Sequence, residues 1–341
     1  MPELALLVLV IAAAIGFGVV NGFNDAANAV AASIGSRAIS PRNGIILAAF
    51  CDFAGAATGT AVAITIGKGI ISSETWLSLS SSSPIDAYLI LIAAEAAVII
   101  WGTIATRLGL PVSISHSLVT GLAAAGAAVI GWEAVIWGML GRIGASVAIA
   151  PTLGFIGGFV LMIVLLWAFR RSAPSMMRVA FSRLQWLTTA FLAYSHGKND
   201  GQMPIALITM ALMIHTQQVE LWDNIPLWII IVSASAISLG TAIGGWRVIK
   251  TVGMKITALQ PIHGFATQAS AATVIEIASH LGIPVSTTHC ATAATMGAGA
   301  TKRLSAVRWG VTRNIVLAWV LTFPISGVLG WAIASLLKVA F

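Results

Sequence analysis

The chain of 341 residues is 58% hydrophobic, and only 9% of it is charged, about a third of the charged fraction usual in soluble domains. Long apolar stretches cover most of the sequence, which predicts an all-α polytopic membrane protein and excludes a soluble globular domain. The net charge of +7 does not indicate nucleic-acid binding, because the basic residues lie in short loops between apolar segments.

The hydropathy pattern predicts about ten membrane segments. They cover approximately residues 4–35, 44–66, 85–107, 112–130, 134–169, 184–214, 226–245, 261–280, 284–300 and 314–337. A helix needs about 20 residues to cross the hydrocarbon core, and the first, fifth and sixth segments are much longer. We therefore expect these three segments to be broken, steeply tilted or partly re-entrant.

Polar side chains interrupt the first segment in the stretch NGFNDAAN, residues 21–28. Burial of Asp25 at membrane depth is costly unless something binds it, so we interpret this stretch as a functional site. A related stretch, SHGKNDGQ, covers residues 195–202 and contains Asp200. Glycines in both stretches permit the helix to unwind. The recurrence predicts one binding site built from two copies of a unit.

A second repeat supports the duplication. Residues 108–126 read LGLPVSISHSLVTGLAAAG and residues 281–299 read LGIPVSTTHCATAATMGAG, with eight of nineteen positions identical. The offset is 173 residues, close to the 175 that separate Asp25 from Asp200. We therefore divide the chain into a first repeat, residues 1–169, and a second repeat, residues 170–341.

Loop charges predict that the two repeats have opposite orientations in the membrane. The loop after the first Asn-Asp stretch contains Arg37 and Arg42, whereas the corresponding loop of the second repeat contains Glu220 and Asp223. Two further pairs of corresponding loops also have opposite charge bias, and there the basic loop belongs to the second repeat. The positive-inside rule then puts corresponding loops on opposite sides, and both termini outside the cell. This inverted-topology repeat is typical of secondary transporters.

The second repeated motif predicts an anion site. Pro111 and Pro284, with the hydroxyl residues that follow them, indicate the first turns of two half-helices whose free backbone N–H groups suit a tetrahedral oxyanion. These hydroxyl residues are Ser113, Ser115, Ser286, Thr287 and Thr288. Asp25 and Asp200 would repel such an anion, so we expect cations to bind beside it, which is the physical basis of symport.

The remaining polar residues bear on the coupling ion. Glu95 is a candidate cation ligand or protonation site, and Gln268 aligns with it in the second repeat. The site is rich in asparagines and hydroxyls, which favours sodium, whereas Glu95 and the histidines permit protons. His116, His196 and His289 lack the spacing of metal ligands, and we interpret them as supporting side chains. We expect no cofactor, and no metal beyond the coupling cation.

The chain resembles the inorganic phosphate transporters of the PiT type. The resemblance covers both repeats and rests on GFNDAANAVAASIGSRAISP, on YSHGKNDGQMPIALITMAL and on the two PVS-x-[ST]-H segments. It implies a homodimeric carrier in the plasma (inner) membrane that imports phosphate with sodium or protons, sometimes as a metal complex. One departure is Lys198, where the resemblance implies a small residue, and another is Met203, where it often implies a lysine.

The family's functional positions carry over to this sequence by resemblance. We assign phosphate binding to Ser113, Ser115, Ser286, Thr287, Thr288, Asn24, Asn28 and Asn199. By the same resemblance we assign cation binding to Asp25, Asp200, Asn24 and Asn199. From their place in the membrane segments, and not from the resemblance, we add Glu95 and Gln268.

Three other functions fit part of the pattern. A carrier of another tetrahedral oxyanion, such as sulfate, would use the same features. A passive channel would not need buried carboxylates. An intramembrane hydrolase would use Ser, His and Asp, but the sequence has no nucleophile elbow, and catalytic sites seldom need two equivalent nucleophiles. We therefore predict a cation-coupled phosphate symporter that works by alternating access, and not an enzyme.

Overall fold

The computed structural model describes residues 2–341, and helices make up nearly all of that range. The α-helices are α1 (Pro2–Gly35), α2 (Pro41–Ala56), α3 (Ala61–Gly69), α4 (Ser73–Ser82), α5 (Pro84–Leu108), α6 (Ile114–Val129), α7 (Trp137–Ala168), α8 (Pro174–Asp200), α9 (Gln202–Thr216), α10 (Leu227–Ile243), α11 (Trp246–Lys250), α12 (Pro261–His280), α13 (Thr287–Ala300) and α14 (Trp309–Ala340). A π-helical turn, Thr251–Lys255, continues α11. The predicted all-α class is confirmed.

Proline and glycine mark many of the helix ends. Pro41, Pro84 and Pro261 begin α2, α5 and α12, where the missing N–H group removes no hydrogen bond. Gly109 ends α5 in the left-handed region, at φ 71°. Pro111, which we expected in the first turn of a half-helix, stands two residues before the capping residue of α6.

Four helices within residues 2–341 are long and apolar enough to cross a membrane, namely α1, α5, α7 and α14. The number rises to six if α2 with α3, and α10 with α11 and its π-helical turn, each form one bent span. The chain is therefore a multi-pass membrane protein by length and composition, and the count of ten segments stays a prediction.

The interruptions fall in other segments than those we expected. The first and fifth segments are single helices of 34 and 32 residues, so the structure leaves out the broken form among the three alternatives that we expected. Tilting is the alternative that lets such long helices fit a bilayer. The bends lie between α2 and α3, at 65°, and between α10 and α11, at 59°. The sixth segment is interrupted only at Gly201.

The Asn-Asp stretches do not unwind as predicted. Helix α1 runs without a break through residues 21–28, and Gly201 keeps near-helical angles of φ −66° and ψ −15°. The glycines have a packing role instead. A Cβ atom at Gly22 would overlap the carbonyl oxygen of Ile237, and one at Gly197 would overlap the carbonyl oxygen of Asp52. Small residues let helices approach to backbone contact, as is common between membrane helices.

Corresponding helices of the two repeats pack in a reciprocal way. The half-helix α6 packs on α14 of the second repeat, and α13 packs on α7 of the first. In the same manner α1 packs on α10, and α8 packs on α2. The largest apolar core includes Phe17, Leu118 and Ile208 and fills the space between α1, α6 and α9. Because each of these helix pairs joins one repeat to the other, the functional stretches of both repeats come together.

Candidate functional site

The two aspartates of the Asn-Asp stretches lie together in the interior. Asp25 projects from α1, and Asp200 is the last residue of α8. Both side chains are buried. One oxygen of each lies within 4.8 Å of the other and of a ring nitrogen of His196. The expectation that the two stretches converge is therefore confirmed.

Hydroxyl groups at the start of each half-helix bond to these aspartates. Ser115 Oγ on α6 donates to Asp200 Oδ1 at 3.0 Å, and Thr288 Oγ1 on α13 donates to Asp25 Oδ1 at 2.7 Å. Each of these two bonds joins one repeat to the other. Thr287 Oγ1 donates to Asp200 Oδ2 at 2.7 Å. A hydroxyl has one hydrogen to donate, so these three groups have to turn before they can donate to an anion.

Ser113 and Ser286 cap the two half-helices. Ser113 Oγ accepts from the backbone N–H of His116 at 3.2 Å, and Ser286 Oγ accepts from that of His289 at 3.1 Å. These caps explain why both helices begin directly after the Pro-Val-Ser sequence. The first N–H groups of an α-helix lack intrahelical acceptors, so each of the two N-termini can offer donors to an anion.

The predicted asparagines each use the amide nitrogen in a bond to a neighbouring hydroxyl. The pairs are Asn24 with Thr106, Asn28 with Thr288 at 2.9 Å, and Asn199 with Ser279 at 2.9 Å. The carboxamide oxygens of all three asparagines are buried and have no hydrogen-bond partner in the described part of the chain. Buried oxygens of this kind suit a hard cation such as sodium.

Glu95 and Gln268 differ in what their side chains contact. Both oxygens of Glu95 are fully buried and have no hydrogen-bond partner among residues 2–341. Gln268 donates to the carbonyl oxygen of Ala29 and to Thr189 Oγ1, both at 2.9 Å, and accepts from Thr188 at 2.9 Å. The structure therefore uses Gln268 as a bridge between α1, α8 and α12, and neither residue contacts Asp25 or Asp200.

Sequence reasoning missed Asp52 and underrated His196. The ring of His196 has Nε2 at 3.3 Å from Asp200 Oδ2 and at 4.0 Å from Asp25 Oδ2. Its Nδ1 lies 2.8 Å from Asp52 Oδ1, and Thr241 Oγ1 donates to Asp52 Oδ2 at 2.5 Å. The available signal was Asp52 itself, since a carboxylate inside an apolar segment indicates function.

The site has an excess of negative charge. Three aspartates surround one histidine, so even a doubly protonated His196 leaves a formal charge of −2, from three carboxylates and one imidazolium. Within residues 2–341, no lysine or arginine nitrogen lies within 4.0 Å of Asp25 or Asp200. These carboxylates, while ionised, repel an anion, so an anion beside them needs their charge to be neutralised by a cation or a proton.

The same geometry could hold a metal ion. Asp25, His196 and Asp200 can each point one ligand atom at a common position. Asp52 can accept the Nδ1 hydrogen of His196 and so leave Nε2 free as a ligand, which is the usual arrangement behind a metal-binding histidine.

The two remaining motif histidines pack against each other. The rings of His116 and His289 are 5.2 Å apart, and both are fully buried. His116 stacks on Phe323, and His289 stacks on Trp319 at 4.1 Å. These contacts fit the interpretation of the pair as supporting side chains.

Comparison with known proteins identifies relatives along the whole chain. The model of the phosphate transporter family matches residues 21–330. A probable low-affinity inorganic phosphate transporter of Bacillus subtilis is 37% identical over 341 residues, covering 99% of both chains. A putative phosphate permease of Thermococcus kodakarensis is 28% identical, over 97% of this chain and 98% of the relative. A solved structure, described as the sodium-dependent phosphate transporter, has a TM-score of 0.86 at 27% identity, over 99% of this chain and 100% of that chain.

Proposed function

The chain belongs to the phosphate transporter family and is a membrane transporter rather than an enzyme, and from this premise we propose that it imports inorganic phosphate together with sodium ions. The carrier exposes one central site alternately to the two sides of the membrane. One observation carries this proposal: Asp25 and Asp200 lie close together in the interior. Among the described residues, no lysine or arginine nitrogen lies within 4.0 Å of either aspartate. A phosphate anion that enters such a site must bring cations with it.

Phosphate binds between the N-termini of α6 and α13. Their first backbone N–H groups and the hydroxyls of Ser113, Ser115, Ser286, Thr287 and Thr288 are the donors. When a cation takes over a carboxylate, the hydroxyl that was bonded to that carboxylate turns to the phosphate. Cation binding thus prepares the anion site, which is the coupling that symport requires.

Sodium is the coupling ion that the oxygens of the site favour. Asp25, Asp200 and the unpartnered carboxamide oxygens of Asn24, Asn28 and Asn199 supply ligands that a hard cation prefers. The solved relative is described as sodium-dependent. A proton is the second candidate, favoured by Glu95, whose two buried oxygens have no hydrogen-bond partner within residues 2–341.

The two repeats, residues 1–169 and 170–341, are the two oppositely oriented halves that together form the site. The reciprocal packing of α6 on α14 and of α13 on α7 supports a two-fold relation between them. Opposite loop charges support opposite orientations, with both termini outside the cell. We extend the proposal to a homodimer in the plasma membrane, as the family resemblance implies.

Radiolabelled phosphate flux into proteoliposomes tests the proposal. We expect an inward sodium gradient to drive uptake at constant pH, and a proton gradient without sodium to drive little. Uptake that responds to the proton gradient alone would replace sodium by protons, and uptake that ignores both gradients would indicate a channel. Complete inhibition by excess sulfate would assign the site to oxyanions in general.

A further inference from the structure

A charged cluster stands next to the site, at the end where α8 and α12 meet. Lys198 Nζ lies 2.5 Å from Glu276 Oε1 and 3.1 Å from His280 Nε2. The side chains of Lys198 and Glu276 are only 10% and 18% exposed, whereas that of His280 is 69% exposed. The second oxygen of Glu276 is buried and has no hydrogen-bond partner among residues 2–341.

This cluster joins α8 and α12, the two helices that lie beside the site at this end. On α8, Lys198 is followed by Asn199, which donates to Ser279 on α12 and to the carbonyl oxygen of Ile283. Beyond Ile283 the chain enters α13, where Thr287 donates to Asp200. Separation of α8 from α12 at this end would therefore uncover Asp200 and the start of α13.

The pseudo-equivalent end of the molecule lacks such a pair. By the repeat offsets of 175 and 173, Phe23 corresponds to Lys198, and Thr103 corresponds to Glu276. Thr106, which corresponds to Ser279, receives the hydrogen bond from Asn24. A cavity of about 420 Å³ lies at this end, between Phe23, Thr106 and Arg247 among others. The hydrogen bond from the asparagine to the neighbouring helix thus exists at both ends, and a partly buried ion pair is added at one of them.

A buried ion pair adds little stability, because desolvation of both charges offsets their attraction. An ion pair has its largest effect on a conformational equilibrium, when it is formed in one conformation of the protein and broken in the other. We propose that Lys198 and Glu276 form a latch that holds the α8–α12 entrance closed, and that the transport cycle has to break this pair to open it. This inference rests on the proposed function, since alternating access gives the latch its role.

Cysteine labelling tests the latch without measuring transport. Ser279→Cys reports on the α8–α12 end and Thr106→Cys on the α1–α5 end, each in a chain that also carries Cys51→Ala and Cys290→Ala. Both reporter positions are buried, at 2% and 7% exposure. The labelling rate with a membrane-impermeant maleimide is measured in nanodiscs, where both faces meet the reagent.

Glu276→Gln breaks the pair, and Lys198→Met with Glu276→Gln removes it without leaving a buried charge. We expect both to raise labelling at Ser279→Cys about tenfold, which corresponds to about 1.4 kcal/mol. Labelling at Thr106→Cys should fall, because opening one entrance closes the other. Glu220→Gln, at an exposed residue of the turn Val219–Trp222, is the matched control and should change neither rate.

Two results would overturn the latch. One is a double variant that labels like the parent at both positions. The other is an increase at both positions, because general loosening of the bundle exposes both ends together. Neither result bears on phosphate import, which the flux experiment decides separately on the unmodified chain.

Discussion

Thr288→Val removes the hydroxyl that joins the second half-helix to the aspartate of the first repeat. Thr288 Oγ1 donates to Asp25 Oδ1 at 2.7 Å and accepts from Asn28 Nδ2 at 2.9 Å. Valine has nearly the same shape, so packing is kept while both bonds are lost. A bond to a charged group contributes about 1.5–3 kcal/mol, and an orphaned buried amide costs about 1–3 kcal/mol.

By the proposed mechanism this hydroxyl turns from Asp25 to the phosphate when a cation binds, so the valine also removes one bond to the charged substrate, of about 1.5–3 kcal/mol. The expected loss of Vmax/KM for sodium-driven phosphate uptake is therefore at least about tenfold, since 1.4 kcal/mol corresponds to tenfold. Uptake is measured in proteoliposomes as a function of phosphate and of sodium. Thr288→Ser keeps the hydroxyl and should retain most of the activity.

Thr292→Val is the matched control for this variant. Thr292 lies one turn further along α13, is fully buried, and its hydroxyl has no hydrogen-bond partner in the described range of 2–341. The same change there should leave uptake within about twofold, because no bond to a charged group is lost. Equal effects of the two valine variants would refute the role of Thr288, since they would show that α13 responds only to the loss of a buried hydroxyl.

Asp25→Asn and Asp200→Asn should each abolish sodium-driven uptake while the protein elutes as a folded species on gel filtration, and sodium-dependent uptake by either variant would remove that residue from the cation site. Asp52→Asn should lower Vmax/KM about tenfold, because a neutral partner holds His196 less strongly than a carboxylate does; uptake unchanged from that of the exposed control Asp223→Asn would make Asp52 structural only. Glu95→Gln should preserve uptake driven by sodium, and loss of that uptake would place a coupling cation or proton at Glu95.

The sequence was informative wherever the duplication left two copies to compare. Asp25 with Asp200, and Ser115 with Thr288, were identified because the two pairs recur at nearly the same offset, 175 and 173 residues. Reciprocal packing of two equivalent units brings such pairs to one place, so recurrence predicted proximity. The caps of α6 and α13 followed from the serine after each Pro-Val pair.

The wrong expectation that the Asn-Asp stretches unwind has its physical origin in the two uses of glycine. Gly22 and Gly197 could have served either a left-handed turn or a close approach of two backbones, and a sequence does not separate these uses. The neighbours that decide the question, Ile237 and Asp52, lie on other helices and far away in the chain. Long-range contacts of this kind become visible only when the helices are assembled.

Asp52 was missed and His196 was underrated because neither has a second copy. The residue that corresponds to His196 is Asn21, which donates to the backbone carbonyl oxygen of Asp200 at 3.3 Å. One repeat thus brings a titratable ring bonded to Asp52 into the site, and the other brings a neutral amide. A strictly symmetric site would bind its ions equally well from both sides. The single imidazole between Asp25 and Asp200 removes that equivalence, so the affinity for the transported ions can differ between the two sides of the membrane, while the ion gradients set the direction of net transport.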